Sequence, residues 1–330
     1  MISSSGRIVV TGSVAFDYLM TFPGRFVEHL IPDRMSRLSV SFLVDEMRRV
    51  PGGCAPNIAY GLALLGERPL LFATAGKDAA EYRDRLGREG IDVSGLALQQ
   101  DLFTASFFVS TDSDQNQLAL FYTGAMARAR ELSLGALPSP GPVALVVISP
   151  NDPVAMARYA EESRGLKLPF LYDPSQQVAR LTGDDLLMGL SGAWALILND
   201  YEFGILIEKT DLSSEEIEAK VPVLIVTHGA DGSTISVAAE GERGRSEIPP
   251  ARLEKGAIDP TGVGDAYRAG VIRGVRAGLP WPVAGRIGSA AAVFCLEAEG
   301  PQPPRYSAAE FRDRYERNFG VEPRLATLFG

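Results

Sequence analysis

The stretch "DPTGVGDAYRAG", Asp259 to Gly270, sets three glycines and two acids just ahead of an apolar helical run. Gly262 and Gly264 let successive backbone N–H groups converge without side-chain interference. The run from Ala266 through Val275 supplies a helix whose positive end lies at that point. The product is an anion cradle, suited to a phosphate or to the charge that builds on a phosphoryl group during transfer. The spacing matches neither familiar phosphate motif: no Lys-Ser/Thr follows, as a P-loop requires, and Gly262, Gly264 and Gly270 do not form GxGxxG. Asp265 is the unexpected member. An anion beside an anion hole repels a bare phosphate, so a third participant must bring a proton or a metal between them. A substrate hydroxyl suffices: Asp265 accepts its proton while the oxygen attacks an in-line phosphoryl group. The residues alone leave a second reading open, in which Asp265 caps the helix and the glycines form a tight turn.

The elements that must hold this cradle follow from apolar runs alternating with helical periods. "RIVVTGSVAFDYLM" opens with a buried strand ending at Gly12 and Ser13, and "GGCAPNIAYGLALLG" is a Gly-led helix with Ile58, Leu62 and Leu65 on one face. "PLLFATAGKD" reads as a strand and "AEYRDRLGREG" as a charged helix stopped by Gly90. The rhythm recurs in "PVALVVISP" and "PVAMARYAEESRGL", in "PFLYDPSQQ", in "WALILNDYEFGIL" and in "VPVLIVTHGADGS". Such strands predict a doubly wound, mostly parallel α/β sheet covered by helices on both faces. Two stretches break the pattern. "FTASFFVSTDSDQNQLALFYTGA" reads as a hairpin around the polar turn Thr111 to Asn116, and residues from about Leu19 to Val50 lack a clean helical period. Both are assigned to a small β lid, about 18–50 and 102–124, on a single domain spanning 1–330. "YSAAEFRDRYERNFG" predicts a closing amphipathic helix with Ser307 as its N-cap.

Composition removes other classes. The 330 residues are 46% apolar, and 32 basic against 41 acidic residues give a net charge of −9 without a basic block. That excludes a phosphate-backbone binder, so nucleic acid is not an expected partner. The two cysteines, Cys54 and Cys295, are too few for a disulfide framework or a thiolate metal site and fit a reducing compartment. "MISSSGRIVV" lacks a basic, apolar signal pattern, and no run reaches membrane-spanning length. The expectation is a cytoplasmic protein without a membrane partner.

The opening stretch resembles the C-terminal signature of the ribokinase-like (PfkB) sugar and nucleoside kinases, and "PGGCAPNIAYGLALLG" resembles their Gly-Gly-x-x-x-Asn signature. "NDYE" is similar to the family's Asn-x-x-Glu motif and "THGADGS" to its Thr-x-Gly-x-x-Gly motif. The four occur in family order across most of the chain. "TGSVAFDYLMTFPGRF", "SVSFLVDEM", "FYTGAM" and "DPSQQVARL" are similar to the bacterial adenosine kinases within that family, and this likeness runs to about Gly300.

The resemblance implies a ribokinase-like fold and ATP-dependent phosphorylation of a nucleoside 5′-hydroxyl, adenosine giving AMP. It makes Asp265 the base and the backbone of Gly262, Val263 and Gly264 the anion hole. Asn199 and Glu202 stand near Mg2+ and its waters. Thr227, Gly229 and Gly232 line the ATP phosphates and ribose, and Gly288 and Ser289 seat the ATP base. Ser13, Asp17, Ser41, Gly53 and Asn57 hold the acceptor, with Asp17 and Asn57 bracketing two adjacent ribose hydroxyls. Phe107 and Phe121 hold the purine, Gln176 and Gln177 reach polar edges of the nucleoside, and Arg180 helps to bind phosphate. Each has a plainer reading: a first-turn acid for Glu202, a strand-end acid for Asp17, core aromatics for the phenylalanines and a surface ion pair for Arg180. Cys54 and Pro56 depart from the usual signature and leave the acceptor open. His228 shapes its loop rather than catalysing. A ribokinase or other sugar kinase, and a catalytically idle nucleoside sensor, remain as alternatives. Dependence on a monovalent cation is left open, and the lid strands suggest a homodimer.

Overall fold

The structure, a computed structural model, describes residues 2–3, 5–29, 39–138, 141–239 and 242–329. The part of the expected lid at 30–38 lies outside the described residues. The first half of the chain forms β1 (Arg7–Thr11), β2 (Ala15–Thr21), α1 (Phe26–His29), β3 (Glu46–Gly52), α2 (Cys54–Leu64), β4 (Leu70–Leu71) and β5 (Ala73–Gly76). It continues with α3 (Ala80–Arg88), β6 (Leu96–Gln99), β7 (Ala105–Thr111), β8 (Gln117–Tyr122), β9 (Val143–Ile148) and α4 (Pro153–Gly165). The second half forms β10 (Phe170–Tyr172), α5 (Gly183–Leu190), β11 (Ala195–Asn199), α6 (Asp200–Thr210), α7 (Ser214–Lys220) and β12 (Val223–Thr227). Then follow β13 (Ser233–Ala239), β14 (Glu242–Ile248), α8 (Val263–Arg276), α9 (Trp281–Leu296) and α10 (Ala308–Phe319).

Eight strands make one sheet in the order β14-β13-β12-β11-β10-β9-β1-β4, parallel from β12 to β4 and antiparallel at the β13 and β14 end. Because side chains alternate across a strand, each central strand feeds two cores. Val9, Val146, Ile148, Leu196, Leu198 and Leu224 pack with apolar residues of α4, α5, α6 and α7. Ile8, Val10, Leu145, Val147, Ile197 and Ile225 face α2, α3 and α8 on the other side. The doubly wound architecture expected from the apolar runs is present. "PLLFATAGKD" differs, giving two short strands in two sheets. Phe72 N–H donates to Val10 O at 2.9 Å while Ala73 N–H donates to Gly95 O at 3.3 Å, so the chain leaves β1 there and joins β6 instead.

A second sheet, in the order β3-β2-β7-β8, contains the expected hairpin. Its turn is organised by Asp112, whose Oδ1 accepts the N–H groups of Asp114 and Asn116, each at 2.9 Å. Oδ2 of the same residue accepts Phe26 N–H at 2.9 Å and ties the turn to α1. Ser307 caps α10 through a reciprocal box with Glu310, as its spacing predicts.

Helices α2 and α8 cross where neither has bulk: a Cβ on Gly61 would lie 2.7 Å from the Cβ of Ala269. One turn earlier on each helix stand Asn57 and Asp265. Close approach at the crossing therefore sets the gap between the two helix N-termini. Replacing Gly61 by Val forces methyl groups into that contact and is expected to lower the free energy of unfolding by about 1–3 kcal/mol. Chemical denaturation, with the slope unchanged, checks this; an unchanged midpoint would show that the crossing is not tightly packed.

Candidate active site

A cavity of about 1200 Å³ opens at the C-terminal ends of the parallel strands, where open α/β sheets hold ligands. It exceeds the ordinary range for one small molecule, about 300–1,000 Å³, and has room for two. Its wall takes Ser13 after β1, Pro150 after β9, Ser175 to Gln177 after β10, Asn199 at the end of β11 and Thr227 at the end of β12. The N-termini of α2 and α8 complete it, with the small sheet across one side through Asp17, Phe107 and Phe121.

At the head of α8, Gly262 adopts φ +76°, and a Cβ there would strike Pro301 at 2.5 Å, so only glycine fits the turn. Among the described residues the N–H groups of Gly262, Gly264 and Asp265 have no partner, while that of Val263 leans to Pro260 O at 3.4 Å. The cradle is thus open, with Asp265 N–H as a donor that the spacing of glycines does not signal. At the head of α2, Gly53 adopts φ +97° because a Cβ would lie 2.4 Å from Ser13 O. Ser13 in turn accepts Ala55 N–H on its carbonyl at 3.3 Å and Cys54 N–H on its hydroxyl at 3.4 Å.

Asp265 is 8% exposed. Its Oδ2 accepts a hydrogen bond of 2.9 Å from Asn57 Nδ2. Asn57 Oδ1 accepts one of 2.9 Å from Gln302 Nε2, which also reaches the Tyr82 hydroxyl at 2.7 Å, and that hydroxyl donates to Gly52 O at 3.1 Å. The chain of bonds runs from the candidate base to the end of β3. Asn57 therefore orients Asp265, and the bracketing of ribose that the resemblance implies for it uses what remains of its amide. Burial pushes the Asp265 carboxyl up to about 6, against the pull of Arg268 and of the Asn57 hydrogen bond. Asp17 is also raised to about 6, by burial and then by the nearby charge of Asp259. Arg268, one turn beyond Asp265, forms a buried ion pair with Asp173 of 2.6 and 2.7 Å. Neither member was singled out from the sequence, because Arg268 reads as an ordinary helix-surface charge and Asp173 as a strand-end acid.

Asn-x-x-Glu proves to be a capping box: Asn199 Oδ1 accepts Glu202 N–H at 2.7 Å and Glu202 Oε2 accepts Asn199 N–H at 2.9 Å. Glu202 Oε1 accepts the Ser175 hydroxyl at 3.1 Å, and both residues line the cavity. Beyond β12, Gly229 and Gly232 have positive φ, and a Cβ on Gly232 would lie 2.1 Å from Ile248 O. His228 closes that loop, its N–H donating to Gly232 O at 2.8 Å and its ring pairing with the Thr234 hydroxyl at 2.9 Å. On the far wall Ser289, Ala292, Val293 and Leu296 present an i, i+3, i+4, i+7 stripe of α9, facing Pro250 to Leu253. Ser289 of that stripe is a residue the resemblance assigns to the ATP base, whereas Ala292, Val293 and Leu296 read only as a helical face.

On the small sheet Asp17, Phe107 and Phe121 fall in one row across β2, β7 and β8. Gln177 Nε2 is held by Asn151 O at 2.7 Å, whereas Gln176 and Arg180 are exposed at the mouth. Two expected residues are not brought in. Ser41 is exposed and outside the cavity wall. Gly288 faces α8, where a Cβ would meet Val271 and Tyr267 at 2.8–2.9 Å, so it serves helix packing.

A large, mostly parallel sheet with a smaller sheet over its ligand end, and an acid at a helix N-terminus in a cavity sized for two ligands, define a kinase of the ribokinase fold. The chain belongs to the pfkB family of carbohydrate kinases, whose profile matches residues 10–308. It is 31% identical to a nucleoside kinase of Methanothermobacter thermautotrophicus, over 98% of this chain and 100% of that one. A nucleoside kinase of Burkholderia thailandensis solved with inosine is 36% identical, with a TM-score of 0.84 over 96% of this chain and 99% of that one. Another structure of that enzyme, an ADP-inosine complex, gives 0.82 over 96% and 97% at the same identity. An adenosine kinase of Saccharomyces cerevisiae is 24% identical over 88% of this chain and 92% of its own. No helix among the described residues is long and apolar enough to cross a membrane.

The raised Asp265 carboxyl makes the native state retain a proton, between about pH 3.8 and 6, that the unfolded chain has already lost. Stability must fall as pH rises through that window, by about 3 kcal/mol for two pH units. Asp265→Asn is therefore expected to be more stable than the wild type at pH 8, with the difference vanishing near pH 4. Urea unfolding at the two pH values measures it, and an equal difference at both would place the carboxyl in an ordinary environment.

Proposed function

We propose that this chain is an ATP-dependent nucleoside kinase that phosphorylates the 5′-hydroxyl of a purine nucleoside, with adenosine giving AMP. The observation that carries the reading is Asp265: a buried carboxylate, fixed by Asn57, beside unpartnered N–H groups at the head of α8. Those N–H groups favour the charge of a phosphoryl group, and the carboxylate takes a proton from the attacking hydroxyl. A carboxyl near 6 is ionised at neutral pH yet basic enough to accept that proton. The nucleotide fits the side lined by Thr227, Gly229, Gly232 and the α9 stripe, and the nucleoside fits the side lined by Ser13, Asp17, Phe107 and Phe121. The small sheet then acts as a lid on a single domain.

Asn199 and Glu202 suit a magnesium ion held through water: the capping box engages Glu202 Oε2 and the Ser175 hydroxyl engages Oε1, once each, which leaves lone pairs for bound waters. Bound there, the ion neutralises phosphate charge. A second copy joined through the small sheet is supported by β8, an edge strand that exposes Leu118, Leu120 and Tyr122.

A second acceptor, inosine, is favoured by the relative solved with it. Gln176, weakly tethered at the mouth, presents an amide that can donate or accept and so suits either an amino or an oxo purine edge. The test is a panel of adenosine, inosine, ribose and fructose with ATP and magnesium. A purine nucleoside is expected to give the highest kcat/KM, with an acid limb near pH 6, and Asp265→Asn to lose most turnover while still binding both substrates. Preference for a free sugar would overturn the reading, and near-normal turnover of the variant would remove Asp265 from its role.

Phe107→Ala removes one face of the purine slot. Stacking of about 1–3 kcal/mol per base predicts a rise in nucleoside KM on the order of tenfold or more, with the KM for ATP little changed. Equal effects on the two would place the purine elsewhere.

A further inference from the structure

Arg268 is unexplained by the machinery above. It is 8% exposed, lines the cavity, and is the one buried cation among the cavity-lining residues; Arg180 and Arg252, also in the wall, are exposed. Its Nη2 donates to Asp173 Oδ1 at 2.7 Å, and its Nε lies 2.6 Å from Asp173 Oδ2 as an ion-pair contact without hydrogen-bond geometry, so a fully buried carboxylate lies against two of the three guanidinium nitrogens. The third, Nη1, has no hydrogen-bond partner among the described residues. Its position is fixed by helix geometry, since side chains on α8 lean toward the N-terminus and a residue covers the one four before it. Nη1 lies over Gly264, and a Cβ on that residue would be 2.5 Å from it. The second glycine of the cradle therefore makes room for this cation. The i, i+4 pairing of Gly264 with Arg268 places a free N–H donor beside the open backbone N–H groups of Gly264 and Asp265.

We infer that Arg268, clamped by Asp173 and slotted over Gly264, is the fixed cation that meets the phosphoryl group in transfer. The inference rests on the phosphoryl-transfer reading given above. In that step the nucleoside O–H gives its proton to Asp265, its oxygen bonds to the γ-phosphorus, and the bond from that phosphorus to the bridging oxygen breaks to leave ADP. Negative charge on the moving group then sits in a wall whose side chains include Asp17, Glu202 and Asp265. A guanidinium held on two sides cannot swing away and loses nothing in reorientation when the charge develops. The same clamp explains why Asp173 is buried without contacting a ligand: it positions Arg268.

The test separates this role from a merely structural ion pair. Arg268→Gln alone strands the Asp173 charge, so it is paired with Asp173→Asn, a double variant that keeps the shape and removes both charges. Thermal unfolding and calorimetric binding of adenosine and ATP are measured beside steady-state kinetics of the full chain. Expected are a melting temperature and nucleoside KM within a few-fold or a few degrees of wild type, and a kcat lower by on the order of 10²–10³. A folded double variant whose kcat stays within a few-fold of wild type overturns the inference. A cycle of Gly264→Ala adds an independent measure. Its effect on kcat is expected to be large with Arg268 in place and to shrink at least tenfold in the double variant, where no Nη1 meets the new methyl group. An equal effect in both backgrounds also overturns it. Failure of the wild type to phosphorylate any nucleoside would instead strike the function proposed above.

Discussion

The site depends on bringing two helix N-termini to within one hydrogen bond of each other. Each end carries partial positive charge, so two such ends repel unless something negative stands between them. Asp265 supplies that charge at the head of α8, and Asn57 at the head of α2 donates to it. The distance is set elsewhere, where Gly61 and Ala269 touch one turn down each helix. Positive-φ glycines at both caps let the chain enter these helices from angles that no other residue tolerates. Gly53 lets the end of β3 run directly into α2, and Gly262 turns the 249–262 segment into α8. The small sheet is therefore joined to α2 through the backbone, and to Asp265 on α8 through Gly52, Tyr82, Gln302 and Asn57.

Placing acids in a site that must admit a polyphosphate looks self-defeating until the burial of each is weighed. Desolvation raises Asp265 and Asp17 to about 6, so both stay mostly ionised at neutral pH and the neighbouring donors must offset their charge. Glu202 is instead engaged by a backbone N–H in its capping box and by the Ser175 hydroxyl. Asp173 is matched by Arg268, whose own ionisation is reinforced by the surrounding carboxylates even though burial opposes it. The wall at the head of α8 thus presents N–H donors and one ion-paired cation beside acids that are buried or hydrogen-bonded. The cost is carried by the unliganded protein, whose stability is lower for keeping such groups out of water.

How much of this was readable beforehand divides by the range of the interaction. The strand and helix rhythm, the hairpin around Asp112, the Ser307 cap and the anion cradle are local, and each follows from residues within a few positions of one another. Most of the candidate site was also reached, since the glycines and Asp265 carry their own chemistry and the resemblance supplied the rest. What was missed is long-range or depends on direction. Gln302 becomes a partner of Asn57 across 245 residues, and no spacing signals it. Gly288 has the composition of a ligand contact but faces α8, because a stripe of small residues serves equally for close helix packing. Ser41 is exposed in a stretch without helix or strand, where no periodicity signals which way a side chain faces. The two-sheet split of "PLLFATAGKD" is a change of hydrogen-bond partner at one residue, invisible in a continuous apolar run.

On the proposed reading the acceptor is chosen by a different part of the structure from the part that performs the chemistry. Asn57 and Asp265 sit on α2 and α8, packed into the main core, whereas Phe107 and Phe121 stand on a four-stranded sheet whose outer strand is exposed along its length. Cross-strand register aligns these rings with Asp17, so the base and ribose contacts proposed above fall in one row of the same sheet. That row and the Asn57 and Asp265 contact are linked through Ser13 ahead of β2, through the end of β3 and through the hydrogen-bonded relay. On the proposed reading the core fixes where the hydroxyl must arrive, and the small sheet decides what is attached to it.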